Sequence, residues 1–234
     1  MAHINRKDLK HDKFVQEVGH QVEYFTKHRR KILVSGAAIL ALIVGGAWYF
    51  NHQRAVALDS MDALLTAAVN FGIPVTISPE PGQRAYATSG ERMREVGASL
   101  ETVKTDFPGT NAASAADYYY ALLDIEQEDL AAAKTKLQSA VAGANAEYAS
   151  LARLALARVL ASEGDVAGAR QEYERLVASP TVAAPAARSQ LALARLLAPN
   201  DPEAARPLLE ELADSAGPAA ASAAAEELRK LPQL

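Results

Sequence analysis

The chain has 234 residues and a net charge of −4 made of two unlike parts: residues 1–31 hold eight Lys/Arg against four Asp/Glu, and residues 51–234 hold sixteen against twenty-four. So acidic a larger part argues against nucleic acid as a partner, because phosphate binding needs a cationic footprint. The absence of cysteine excludes a disulfide framework and thiolate metal sites, and is compatible with an oxidising compartment.

From Asp8 to Arg30, Phe14, Val18, Val22 and Phe25 recur at helical spacing, with Lys10, Lys13, Glu17 and Lys27 elsewhere around the wheel. This reads as an amphipathic helix that lies in the membrane interface, docks on a partner, or only fixes topology as a solvated juxtamembrane segment. Residues 32–50 follow, all nineteen uncharged. A helix of that length is roughly 29 Å long at about 1.5 Å per residue, close to the hydrocarbon thickness of a bilayer. Its strongly apolar side chains favour the bilayer centre by a sum of roughly −3 to −5 kcal/mol, and no charge opposes them. Trp48 and Tyr49 fall where amphipathic rings rest among headgroups.

The alternative, a buried core helix, seldom runs so far without a polar face. Lys27, Arg29, Arg30 and Lys31 precede the run, whereas the twenty residues after it hold only Arg54 among Lys and Arg. By the positive-inside rule the N-terminus is cytoplasmic and the large domain lies outside. Ala55-Val56-Ala57 offers a rival, a signal-peptide cleavage site, but both the basic region and the apolar run exceed the usual lengths. Within the span, Ala37, Ala41 and Gly45 form a small-residue column suited to close approach by another helix or to passive packing against lipid.

Helical patterning continues over 54–70 with Val56, Met61, Leu64, Leu65 and Ala68, then breaks over 71–90, where Pro74, Pro79, Pro81 and three glycines require a long connection. A short extended piece fits at 75–77. Periodicity resumes from Glu91 to Phe107 through Met93, Val96, Leu100 and Val103 and stops at Pro108-Gly109. Beyond it the chain is rich in Ala, Leu, Glu and Arg, with breaks near Gly143, Gly164, Ser179-Pro180, Pro199–Pro202 and Gly217-Pro218.

This region repeats. Asp129, Asp165 and Asp201 are spaced by 36 residues, as are Ala133, Ala169 and Ala205, and Leu137, Tyr173 and Leu209. Tyr120-Ala121, Leu156-Ala157 and Leu193-Ala194 occupy matching places in the preceding helices, the last with one residue fewer in its turn. Asp caps the free N–H groups of a helix start, a small Ala lets the paired helix cross closely, and the large residue after it fills the groove below. Each unit is a helix hairpin that must stack on its neighbours to bury its apolar face.

On these residues the sequence resembles the tetratricopeptide-repeat (TPR) family, best at Leu156, Ala157, Gly164, Asp165, Ala169 and Tyr173. It departs in its period of 36 rather than 34, in having Asp117 or Arg153 where the family has an early Trp, and in lacking the closing Pro. The wider layout, a charged N-terminus, one span ending in Trp48-Tyr49-Phe50 before Asn51-His52-Gln53, and an outer repeat domain, resembles the YfgM-like ancillary Sec-translocon subunit family. That resemblance implies a single-pass protein of the cell inner membrane with a periplasmic domain, a span beside the Sec translocon, and partners among periplasmic chaperones. The Asp106-Phe107-Pro108-Gly109-Thr110 turn also resembles TPR domains of envelope assembly and cell-division coordinators, which keeps a scaffold unrelated to secretion as the alternative.

The sequence carries no sign of catalysis. All five histidines (His3, His11, His20, His28, His52) lie at or before the first turn after the span, so the outer domain has no imidazole or thiolate nucleophile, base or zinc ligand. The acidic groups Glu126/Glu128/Asp129, Glu210/Glu211 and Glu226/Glu227 permit a remote carboxylate-hydrolase reading, against that of a solvated face. First helices of TPR hairpins line the concave side, which nominates Tyr118, Tyr119, Arg153, Arg158, Arg188 and Arg195 for protein binding, since aromatic and Arg side chains most often anchor interfaces. The competing reading packs the tyrosines between hairpins and pairs the arginines with nearby Glu.

The expectation is thus an all-α protein: a cytoplasmic basic segment (1–31), a transmembrane helix (32–50), a membrane-proximal helix and Pro/Gly-rich loop (51–90), and an α-solenoid of TPR-like hairpins (91–234). No enzymatic activity, cofactor or small-molecule substrate is expected.

Overall fold

The structure, a computed structural model, describes residues 13–232, with side chains from Arg29 onward apart from Ile32. Among the described residues the fold is all α, with nine helices: α1 (Lys13–Phe71), α2 (Ser89–Asp106), α3 (Asn111–Glu126), α4 (Leu130–Gly143), α5 (Ala146–Ser162), α6 (Val166–Ala178), α7 (Ala186–Leu197), α8 (Pro202–Ser215) and α9 (Pro218–Lys230). The chain divides into two units, Met1–Ala55 and Val56–Leu234.

In the first unit, the helices expected over 8–30 and 32–50 run on as one, and α1 continues without interruption through the segment expected at 54–70. A change from basic to apolar side chains alters the solvent a helix prefers but not its i to i−4 hydrogen bonds, and the sequence offers no Pro between residues 13 and 71 to break them. Residues 8–12, and the side chains of Phe14, Val18, Val22 and Phe25, lie outside the described residues. From Leu33 to Phe50 the large apolar side chains are uncovered by protein, Leu42 being 77% exposed and Trp48 68%. Arg29–Phe71 is, among the described residues, the helical stretch long and apolar enough to cross a membrane.

The second unit opens with residues 56–71 of α1. Leu64 and Ala67 are fully buried against Val96, Leu100 and Val103 of α2 and Ala112, Ala115, Ala116 and Leu123 of α3. The connection over 72–88 is pinned at both stems. Thr76 N donates to Tyr86 O at 2.9 Å and Tyr86 N donates to Pro74 O at 3.0 Å, forming a single bridge between Val75 and Tyr86. Ile73 and Tyr86 are buried below it while Ile77 stands 88% exposed. The expected extended piece is therefore one bridge closing a compact loop.

From α3 onward each helix packs on its neighbours in sequence, the arrangement of a solenoid of hairpins. Helices end at Gly143, before Gly164, at Ala178, at Leu197 and before Gly217-Pro218, where Gly and Pro interrupt the pattern. The Asp side chains do cap: Asp129 accepts from Ala132 N at 3.0 Å, Asp165 from Gly168 N at 2.9 Å and Asp201 from Ala204 N at 3.1 Å. Ala133, Ala169, Ala205, Leu137 and Leu209 are fully buried and Tyr173 nearly so. The missing residue of the third turn has a structural counterpart. Asp129 N reaches back five residues to Asp124 O and Asp165 N to Leu160 O, each across a left-handed residue, Glu128 (φ 62) and Gly164 (φ 83). Asp201 N instead reaches four residues back to Leu197 O, without a left-handed residue.

Candidate protein-binding face on the first helices

Three successive first helices, α3, α5 and α7, share one side of the second unit. Between them lies a half-open cavity of about 300 Å³, floored by Leu122, Ile125, Leu151, Leu154, Ala155 and Val159 and bordered by Tyr118, Arg158 and Arg188. The floor follows helical spacing. Leu151, Leu154, Ala155, Arg158, Val159 and Ser162 fall on one stripe of α5, so the helix that buries Leu156 and Ala157 on one side presents a second apolar stripe on another.

The nominated side chains do not converge. Tyr118, Arg158 and Arg188 come together at this cavity. Tyr119 joins an aromatic cluster instead, with ring centroids 5.1 Å from Tyr118, 6.0 Å from Tyr148 and 6.1 Å from Phe71 in edge-on geometry. Arg153 donates to Glu172 at 2.6 Å, and Glu172, 8% exposed, also accepts from Arg175. The two arginines border a separate cavity of about 540 Å³ beside Pro180 and Thr181. Arg195 donates to Glu227 at 2.8 Å. Ala37, Ala41 and Gly45 lie in the other unit on exposed helix surface, where a Cβ at Gly45 meets nothing within 4 Å.

Residues 56–232 contain eleven arginines. Six have a carboxylate within 4.0 Å: Arg84, Arg92, Arg153, Arg170, Arg175 and Arg195. Arg94, Arg206 and Arg229 donate to backbone carbonyls. Arg158 and Arg188 are the two with neither kind of partner among the described residues. Arg158 lies near the Tyr118 and Tyr173 phenols, and Arg188 near Tyr118. Burial pushes the Tyr118 phenol above its ordinary pKa, and the two guanidinium charges oppose that rise only in part. At neutral pH Tyr118 is therefore an uncharged donor and acceptor beside two cations.

Among the described residues, five of the seven carboxylates that permitted a hydrolase reading are otherwise engaged, Glu128 and Glu210 being the two that are not. Glu126 pairs with Arg92 at 2.7 Å, Asp129 caps α4, Glu211 accepts from Gln190 at 2.8 Å, and Glu227 holds Arg195. Hydrogen bonding to Lys230 holds the Glu226 carboxyl below the usual range, the opposite of what a general acid at neutral pH requires. Among the described residues no group of three or more His, Cys, Asp or Glu is placed to hold a metal.

The apolar floor was the part that sequence reasoning missed. Its signal was present as the spacing of Leu151, Leu154, Ala155 and Val159 on α5, but an alanine- and leucine-rich helix offers several such stripes, and which one lines a cavity, with Leu151 and Ala155 half-buried and Leu154 and Val159 buried beneath, depends on where α3 and α7 cross it. Set against known proteins, residues 23–187 match the model of a family described as a tetratricopeptide repeat-like domain. Neither the curated proteins nor the solved structures yield a match.

Proposed function

The chain belongs to the tetratricopeptide repeat-like domain family, whose domains are non-catalytic scaffolds, and from that premise we propose a single-span membrane protein whose helical domain docks other proteins at the outer face of the cell inner membrane. The observation that carries the docking role is the half-open apolar cavity between α3, α5 and α7, bordered by Arg158 and Arg188, which have neither a carboxylate nor a backbone-carbonyl partner among the described residues and lie only beside tyrosine phenols. Anchoring is supported by the bare apolar surface of residues 33–50 and by the basic flank before it.

Within this reading the domain is periplasmic and ancillary to the Sec translocon and its chaperones, an assignment that rests on the layout of span and repeat domain. The small column of Ala37, Ala41 and Gly45 supplies the contact between span and channel. Full-length protein purified from native membranes in mild detergent should bring down export-channel components or envelope chaperones. Ala37→Leu with Ala41→Leu should lower that recovery. Recovery of neither partner class, under conditions that retain weak complexes, sinks the secretion assignment. Proximity labelling that marks division or envelope-assembly machinery instead replaces it with a scaffold role.

A further inference from the structure

We propose that the cavity between α3, α5 and α7 is a subsite for a partner segment that presents an apolar side chain flanked by carboxylates, the apolar group entering between Leu122, Leu151, Leu154 and Ala155 and the carboxylates engaging Arg158 and Arg188. This rests on the docking role argued above and names the chemistry of what docks. A volume of about 300 Å³ lies at the small end of ligand pockets and accommodates one large side chain rather than a folded surface. The charge of the occupant follows from what the chain leaves undone. Residues 51–234 carry twenty-four acidic side chains, and six of the eleven arginines in 56–232 take a carboxylate among them, while Arg158 and Arg188 at the cavity edge take none.

A basic segment is attracted to the domain as a whole but meets two like charges at this mouth. An acidic segment is repelled at long range yet attracted within a Debye length of about 8 Å, where the guanidinium forks lie. Tyr118 adds a neutral hydroxyl beside both. The site therefore selects by local rather than net charge.

Full-length protein in detergent micelles is titrated against three fluorescein-labelled peptides of equal length: alternating Leu and Glu, alternating Leu and Gln, and alternating Ser and Glu. The Leu/Glu peptide should bind tightest, with each of the others about tenfold weaker, since a charge-assisted hydrogen bond or a buried Leu is each worth at least about that factor. Arg158→Gln with Arg188→Gln should erase the preference of Glu over Gln. Ala155→Trp, which fills the cavity and leaves both arginines, should weaken both Leu-containing peptides alike. Arg158→Lys with Arg188→Lys should restore part of the preference, which a merely misfolded double variant does not predict. Equal affinity for the Leu/Glu and Leu/Gln peptides, no binding of either, or wild-type binding by the Gln double variant overturns the subsite. Absence of the peptide preference in the unsubstituted protein, with partners still co-purifying, overturns the subsite while leaving the docking role intact, whereas peptide binding as expected without any co-purified partner removes the docking role and leaves the subsite.

Discussion

Glu128 and Gly164 occupy the same place in two successive repeats, and both have left-handed backbone. Glycine adopts that conformation without a steric penalty, whereas a residue with a Cβ pays about 1–2 kcal/mol, so Glu128→Gly should stabilise the fold by about 0.5–1 kcal/mol after the added freedom of the unfolded chain is subtracted. A raised thermal midpoint checks it, and an unchanged or lowered one shows that the exposed Glu128 side chain contributes more than its backbone costs. Arginines divide just as sharply. Arg153→Ala leaves the buried Glu172 with Arg175 alone and should destabilise by about 1–3 kcal/mol, while Arg158→Ala, removing an exposed group without a carboxylate partner, should stay within about 0.5 kcal/mol. Denaturant midpoints of the two variants separate a structural arginine from one held for a partner. This division was illegible in the sequence, where Arg153, Arg158, Arg188 and Arg195 look alike. Glu172 lies nineteen residues from Arg153 and Glu227 thirty-two from Arg195, distances closed only when hairpins pack.

At the scale of helices, the hairpins were legible because their signals are local: an Asp cap, an Ala four residues on, a large apolar residue four further, and a Gly or Pro at each break. The join of α1 across the basic, apolar and mixed segments was not, since periodicity reports the face a helix turns to its surroundings and says nothing of where one helix hands over to the next. The third α3 tyrosine shows a further limit. Tyr120 sits in the slot where the next repeats have Leu156 and Leu193, and its hydroxyl donates to Gly97 O at 3.0 Å, tying α3 to α2. Burial raises the phenol pKa of Tyr118, Tyr119, Tyr120 and Tyr173, with hydrogen bonding adding to the rise for Tyr119 and Tyr120. A phenol whose folded pKa lies above its unfolded one contributes stability that is complete below about pH 10 and is lost as pH climbs from there through the folded pKa. The thermal midpoint should therefore hold on the alkaline side up to about pH 9 and fall beyond pH 10, with tyrosinate absorbance appearing above the range of free tyrosine. Titration of these tyrosines at the free-tyrosine pKa in the folded protein would contradict the packing around α3.

Across the whole molecule, burial and exposure of apolar groups fall on different sides of one boundary. Among the described residues, large exposed apolar side chains number ten in residues 33–50 (Leu33, Val34, Ile39, Leu40, Leu42, Ile43, Val44, Trp48, Tyr49 and Phe50) but six from residue 56 onward (Leu58, Leu65, Val69, Val75, Ile77 and Val182). Conversely, among the described residues every buried hydrophobic residue lies between Leu64 and Leu231. Its three clusters run in chain order, from α1–α3 through α3–α6 to α5–α9, so each hairpin is stabilised by its neighbours, and among the described residues none of the buried set lies before residue 56. The chain from Val56 onward should therefore fold without the first fifty-five residues, remain soluble without detergent, and keep the melting behaviour of the full-length protein. The cut must not move further in. Removing residues 56–88 as well takes away Leu64, Ala67, Ile73 and Tyr86 and uncovers Val96, Leu100 and Val103, so a chain beginning at Ser89 should melt lower and bind an apolar dye. Circular dichroism melts of the two truncations and the intact protein decide it. A fragment from Val56 that aggregates or lacks a cooperative transition would mean that the first unit contributes to the fold of the second, whereas equal stability of both truncations would remove α1 from the core of the helical domain.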